Sequence, residues 1–275
     1  MSQLDPVIQQ NKPYEYGYNA ITYLDDSYKT GMNFGVLKLK KGEKHSLTSP
    51  LESAFLLMTG KIVFHYAKGK EYQAFRTSYF DQNPYVLHIS AHEAAEVEAL
   101  TDCEIMVMQT QNTQNFTPMV FDGGNMLESE RRGKGLLQDA SYRIVRTVFD
   151  KRNRPESNLV VGEIITFSGH WSSCPPHFHK QPEIYHYRFS EPQGFGFGED
   201  GQAVKRIKHN DTMVILDEKE HAHTTAPGYA LYTLWFIRHL KDDPYITPTF
   251  KEEHEWARTE NANMRVWIPV EDILL

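Results

Sequence analysis

The residues able to do chemistry in this chain are concentrated between Pro175 and Phe189. His177 and His179 stand two apart, and Glu183 follows closely, at the start of a strand-like run. In an extended strand, side chains two apart point to the same face, so both imidazoles can reach one centre. Two neutral imidazoles and a carboxylate suit a divalent cation with an open coordination position, such as Zn, Mn or Fe(II). A fourth ligand must come from elsewhere in the chain. His221 is the best candidate, and His223 shares its strand face and competes for the role. His-x-His alone is a common chance pairing. The added Glu, the stiff Pro175-Pro176 approach and the downstream His make a cluster that a composition of 13 His does not produce by itself. Cys174, followed by two prolines, reads as structural. So does His170, which lies well upstream of the pair.

Beyond Glu183, alternation puts Glu183, Tyr185 and Tyr187 on one face and Ile184, His186 and Arg188 on the other. If Glu183 faces the metal, Tyr185 and Tyr187 line the same cavity. A tyrosine there either donates a hydrogen bond to a substrate oxygen or fills the barrel. His186 and Arg188 are expected to face outward.

The elements that must position these groups are strands. Phe34–Leu39, Phe55–Tyr66, Tyr85–Ile89 and Cys103–Met108 are apolar runs separated by turn residues, with Gly60 read as a turn inside the second. Short strands at this spacing, without a convincing long helix, indicate a sandwich or barrel. The fifteen Phe and fifteen Tyr residues favour pleated surfaces. The expected divisions are an N-terminal arm over residues 1–32, a first half over 33–110 and a linker over 111–141. A second half over 142–240 follows, with a tail over 241–275 packed on the outside.

The two halves can be laid over one another at an offset of about 130 residues. Gly35 and Gly42 match Gly162 and Gly169 in spacing. Glu52 falls opposite Glu183, and His92 opposite His221. The first half offers only His45 near the equivalent loop, so it is expected to lack a full metal site and to serve as scaffold. Pro192–Gly198 resembles a phosphate loop only superficially, since no helix pattern or closing Lys-Ser/Thr follows it.

With 275 residues, 40 % hydrophobic and 24 % charged, the composition is that of an ordinary globular chain. A net charge of −7 favours neither nucleic acid nor an anionic membrane as partner. The two cysteines define no disulfide framework. The first residues carry no secretory pattern and no apolar run is long enough to span a bilayer, so a cytoplasmic location is expected. Association through exposed sheet edges leads to the expectation of a homo-oligomer.

Taken together, His177-x-His179-x3-Glu183 and the later His221 resemble the metal signature of cupins, and the duplication resembles a bicupin. More narrowly, Leu159–Glu163, Trp171–His177, Glu183–Tyr185, Pro192–Phe195 and Ala226–Tyr229 resemble the 5-deoxy-glucuronate isomerase family of myo-inositol catabolism. The likeness is strongest over about residues 142–237. It implies an all-β bicupin of two tandem double-stranded β-helix (jelly-roll) barrels. It also implies aldose–ketose isomerisation of 5-deoxy-D-glucuronate to 5-dehydro-2-deoxy-D-gluconate in the cytoplasm. By position it assigns His177, His179, Glu183 and His221 as ligands of a divalent metal.

In that reaction Glu183 and Tyr187 are the candidate catalytic groups, and Tyr185, Lys180 and Arg188 the candidate substrate-binding ones. Lys180 and Arg188 are proposed for the carboxylate of a small sugar acid because they are nearest in sequence. The chain departs from the family pattern at Asp217-Glu218-Lys219, where the turn presenting His221 lacks its usual glycine. Two alternatives stay open: the related uronate isomerase of pectin breakdown, and a non-catalytic sugar-acid-binding cupin. An Fe(II) dioxygenase is compatible with the ligand types.

Overall fold

A computed structural model describes residues 4–268. The first half contains β1 (Val7–Ile8), β2 (Gly17–Thr22), β3 (Met32–Leu39), β4 (Lys44–Ser46) and β5 (Glu52–Tyr66). It continues with β6 (Lys70–Arg76), β7 (Val86–Ile89), β8 (Ala95–Ala99) and β9 (Cys103–Thr110). Two short strands, β10 (Met119–Phe121) and β11 (Glu130–Arg132), lie in the connection. The second half runs through β12 (Arg143–Phe149), β13 (Leu159–Thr166), β14 (Trp171–Phe178), β15 (Glu183–Phe189) and β16 (Phe195–Asp200). It ends with β17 (Ala203–Lys208), β18 (Thr212–Ile215), β19 (His221–Thr225), β20 (Leu231–Arg238) and β21 (Thr249–Phe250). Only short 3-10 turns interrupt the strands, and no helix among the described residues is long and apolar enough to cross a membrane.

The two halves repeat the same ladder. One large sheet runs β10-β7-β5-β9-β3-β2, and the other runs β1-β18-β15-β20-β13-β12-β11. Their inner faces pack together on a shared core that includes Phe34, Leu56 and Met106 from one half and Ile184, Val214 and Phe236 from the other. Each half then closes a second sheet over its own interior. Leu37, Phe55, Phe64 and Val97 fill the first barrel, and Tyr185, Tyr187, Phe189 and Ile215 the second. This is the expected pair of jelly-roll barrels.

The matched glycines do equivalent work. A Cβ on Gly35 would stand 2.7 Å from the ring of Tyr18, and one on Gly162 would stand 2.6 Å from that of Trp235. Gly42 and Gly169 both turn the chain at positive φ, 87° and 72°.

The boundaries differ from the expected ones because edge strands are shared. The N-terminal arm supplies β1 to the second half, where Val7 pairs with Met213 and Ile8 with Thr212. The expected linker supplies β10 to β7 of the first half and β11 to β12 of the second. Gly60 is a bend rather than a turn. At its φ of 109°, β5 leaves the large sheet without interruption and enters the outer one.

The halves are also tied by buried charge. Arg76 on β6 forks onto Glu163 on β13 at 2.7 and 2.9 Å, with both side chains fully buried. Tyr232 donates to the same carboxylate at 2.7 Å, and Arg146 stands 3.5 Å from it. Breaking such a pair by removing one partner strands a charge, whereas replacing both can be neutral. Arg76→Met is expected to destabilise the protein by about 3 kcal/mol, read as a lower urea midpoint. Arg76→Met combined with Glu163→Gln should recover part of the loss; a single variant as stable as the parent would show that the pair is dispensable.

Candidate metal centre

The three acidic and imidazole groups at the heart of the second barrel come from three places. Glu183 opens β15, His221 opens β19, and His179 directly follows β14. One ligand atom from each of His179, Glu183 and His221 lies within 4.8 Å of the others. His179 Nε2 sits 3.0 Å and His221 Nε2 3.2 Å from the same oxygen of Glu183. The His177 ring lies 4.5 Å from that of His221 between centroids, which puts it at the edge of the cluster.

A bulge sets this arrangement. The β14–β19 ladder jumps from Ser172↔His223 to His177↔His221, so Ser173–Pro176 oppose the single residue Ala222. The extra residues re-aim His177 toward the barrel axis. Pro175 and Pro176 lack an N–H and suit such unpaired backbone. At the other side of the centre, the turn before His221 holds Asp217 and Glu218 at φ of 60° and 55°, the left-handed region that a glycine would enter without strain.

The electrostatics suit a cation. Burial alone would raise the Glu183 carboxyl, but the hydrogen bond from His179 and the close approach of His221 overcome it and hold the group down at about 2. His177 is pushed well below the usual imidazole range by burial, then by the neighbouring His221. Nδ1 of His177, Nδ1 of His179 and Nε2 of His221 are buried without a hydrogen-bond partner. Buried polar atoms are normally satisfied, so several orphaned nitrogens around one ionised carboxylate form a donor set that a divalent cation completes.

Tyr185 lies beside the cluster: its hydroxyl is 3.3 Å from Ser173 Oγ, and it lines a cavity with His177, Glu183, Trp235 and Tyr245. Other expectations are corrected. Tyr187 shares the face of Glu183 but lies deeper, with its ring 5.7 Å from His223 and its hydroxyl on Met213 Sδ at 3.5 Å. It lines neither cavity at the centre and fills the barrel instead.

Arg188 leaves the site because alternation turns it away from Glu183. It faces the first half, bonded to Glu104 at 2.7 Å and to His186 at 3.2 Å. Lys180 is exposed in the turn between β14 and β15 and lines no cavity with the cluster. His223 stays out of the ligand group; its Nε2 faces Thr233 Oγ1 at 3.4 Å.

The tail does more than pack outside. Its strand β21 pairs with His177 and Phe178, and the Tyr245 ring sits 4.9 Å from that of His179. Residues 269–275 of that tail lie outside the described residues. Arg143, on β12, lines the same cavity. These groups were missed because nothing local in the sequence links them to the His-x-His motif.

In the first barrel the register of the shared ladder shifts the expected match by one residue. Glu183 pairs with Ile215 and Ile237 on its neighbours, and the residue so placed in the first half is Ser53, paired with Ile89 and Gln109. Glu52 therefore faces the joint between the halves, bonded to His88, Ser157 and Asn158. Ala95 opens β8 as His221 opens β19, and Leu47 bonds to it by backbone. Those positions are apolar and buried, and His92 is exposed.

Residues 8–257 match the model of the KduI/IolB family. A 5-deoxy-glucuronate isomerase of Geobacillus thermodenitrificans is 24 % identical over 91 % of this chain and 95 % of its own length. One of Halalkalibacterium halodurans is 27 % identical over 82 % and 87 %. The fold is also similar to that of an IolB-like protein from Salmonella typhimurium LT2, with a TM-score of 0.81 and 22 % identity over 93 % of this chain and all of that one. An oxalate decarboxylase of Lactobacillus farciminis shares the architecture more distantly, at a TM-score of 0.62 and 12 % identity over 88 % of this chain and 86 % of that one. The orphaned ligand cluster in one of two back-to-back barrels and the match along nearly the whole chain agree, and the chain belongs to the KduI/IolB family.

Proposed function

We propose that this isomerase depends on a divalent metal and interconverts the aldose and ketose forms of a deoxy-uronic acid. The substrate–product pair is 5-deoxy-D-glucuronate and 5-dehydro-2-deoxy-D-gluconate. The observation that carries the reading is the buried cluster of His179, Glu183 and His221, with His177 at its edge, opening on a cavity beside Tyr185. The names of the curated relatives support the substrate.

His177, His179, Glu183 and His221 would hold the ion. When bound, it supplies Lewis acidity toward the substrate oxygens on which charge develops. The exchange itself moves a proton between neighbouring carbons and leaves the formula of the sugar unchanged. Burial, then the charge of Glu183, raises the Tyr185 hydroxyl well above its ordinary range, so it stays protonated at neutral pH. It can therefore donate a hydrogen bond to a substrate oxygen, with Ser173 fixing its direction. Glu183 stays ionised and is the acidic group nearest the reacting carbons in this reading. Trp235, Pro248 and Phe250 wall the cavity with apolar surface and limit water.

Removal of metal by a chelator should abolish turnover, and readdition of Mn, Fe(II) or Zn should restore it; full activity in metal-free protein would refute the metal dependence. His221→Ala should lower bound metal by about 10-fold or more, measured by elemental analysis beside the parent. Tyr185→Phe is expected to keep its metal while kcat falls roughly 10- to 100-fold. Product analysis with 5-deoxy-D-glucuronate and with the deoxy-uronate of pectin breakdown separates the two substrates; turnover of the second alone would reassign the enzyme.

A further inference from the structure

We propose that Arg143 is the receptor for the substrate carboxylate and sets the preference for sugar acids over neutral sugars. The inference rests on the isomerase reading above and adds to it the group that recognises the acid end.

Alternation on β12 decides where this side chain goes. Val145, two residues on, belongs to the core of the second barrel, whereas Val148 and Ile144 pack at the joint between the halves. Arg143 shares the parity of Val145 and enters the barrel. There it lines the small cavity with His177, Glu183 and Tyr185. It also lines the adjoining cavity of about 400 Å³, which opens toward Arg132, Asp150 and Ile246. Arg143, like Arg132, thus lines both the outer cavity and the cavity beside the ligand cluster.

Its bonding is sparse for a buried cation: Arg154, which likewise has no ion pair among the described residues, is held by hydrogen bonds to His88 and to the Thr117 carbonyl. Arg143 is only 8 % exposed, and among the described residues its one side-chain hydrogen bond is from Nη1 to the Ser141 carbonyl at 2.8 Å. Among the described residues it makes no ion pair. Arg76 and Arg188, similarly buried, are each matched to a glutamate. The three other arginines at the outer cavity are also occupied: Arg132 by Glu130 at 2.8 Å, Arg152 by Asp150 at 2.7 Å and Arg258 by Glu255 at 3.2 Å. A buried guanidinium without a counter-ion is costly, and burial followed by the charge of Arg132 lowers its pKa to about 10. It remains cationic at neutral pH, and a carboxylate from the substrate would supply the missing partner. The planar fork of arginine matches a carboxylate through two parallel hydrogen bonds. Anchoring one end of the sugar acid at Arg143 and the other beside His177 and Glu183 would leave the reacting carbons a single orientation.

The test compares metal-loaded parent, Arg143→Gln and Arg143→Lys. The substrates are 5-deoxy-D-glucuronate and 5-deoxy-D-xylo-hexose, its analogue with a hydroxymethyl in place of the carboxylate. For the acid, KM in Arg143→Gln should rise roughly 10- to 100-fold, with kcat falling less and Arg143→Lys in between. For the neutral analogue, kcat/KM should differ between parent and variants by less than about twofold. An unchanged KM for the acid would overturn the proposal. So would equal losses on both substrates in variants with normal metal content, which would mark Arg143 as structural. If the parent turns over neither sugar, the isomerase reading fails, and calorimetric binding of D-glucuronate decides separately. Tight binding by the parent that is lost in Arg143→Gln supports the receptor, whereas equal binding, or none by the parent, overturns it. If Arg143→Gln does not fold, Arg143→Lys is compared with the parent in its place, and the same outcomes support or overturn the receptor.

Discussion

Strand β15 is buried on both sides, and its two-residue alternation binds the candidate metal centre to the joint between the halves. Glu183, Tyr185, Tyr187 and Phe189 enter the second barrel, while Ile184 enters the shared core and Arg188 meets Glu104 of the first half. A slip of one residue would put the carboxylate into an apolar joint and the isoleucine into the ligand set. The flanking strands prevent this. β18 pairs with β15 over four residues and β20 over its whole length, and both carry their own two-sided apolar patterns. The register that makes the core makes the site.

The two barrels diverge in what they do with their interiors. The first has no such ligand set among the described residues, with Leu47, Ala95 and Ser53 at positions related by the ladder to those around the ligands of the second. The second keeps imidazoles and a carboxylate there, and space beside them. The first half is nevertheless tied to the second sheet's inner face, because Arg76 and Glu104 pair with Glu163 and Arg188. Desolvated pairs of this kind add little net stability, but they penalise any other docking of the two sheets. Specific register is their more direct effect.

Much of this was legible in the sequence. The spacing of His177, His179 and Glu183, the strand alternation after Glu183, and the repeated glycines each report a local rule with a short period. The duplicated architecture followed from those periods. What stayed hidden depends on pairing between distant segments. The match of Glu52 to Glu183 failed by one position, because letters align residues whereas hydrogen-bond ladders align faces. Arg188 lay nearest the ligands in sequence but on the wrong side of the strand. Arg143 lies more than thirty residues upstream of His177 on a strand that enters the same barrel, and Tyr245 arrives from a segment whose charge suggested a surface role. No local pattern marks either one.

The placement of β1 has a temporal meaning as well as a spatial one. Val7 and Ile8 are made before their partners, Met213 and Thr212, and find them only after more than two hundred further residues have been added. During synthesis the first barrel can gather its strands as they emerge, whereas β1 must wait until β18 has been made. Its late docking covers the otherwise bare flank of β18. The exchange runs one way: the second module keeps part of its border, β1, in the stretch of chain that precedes the first.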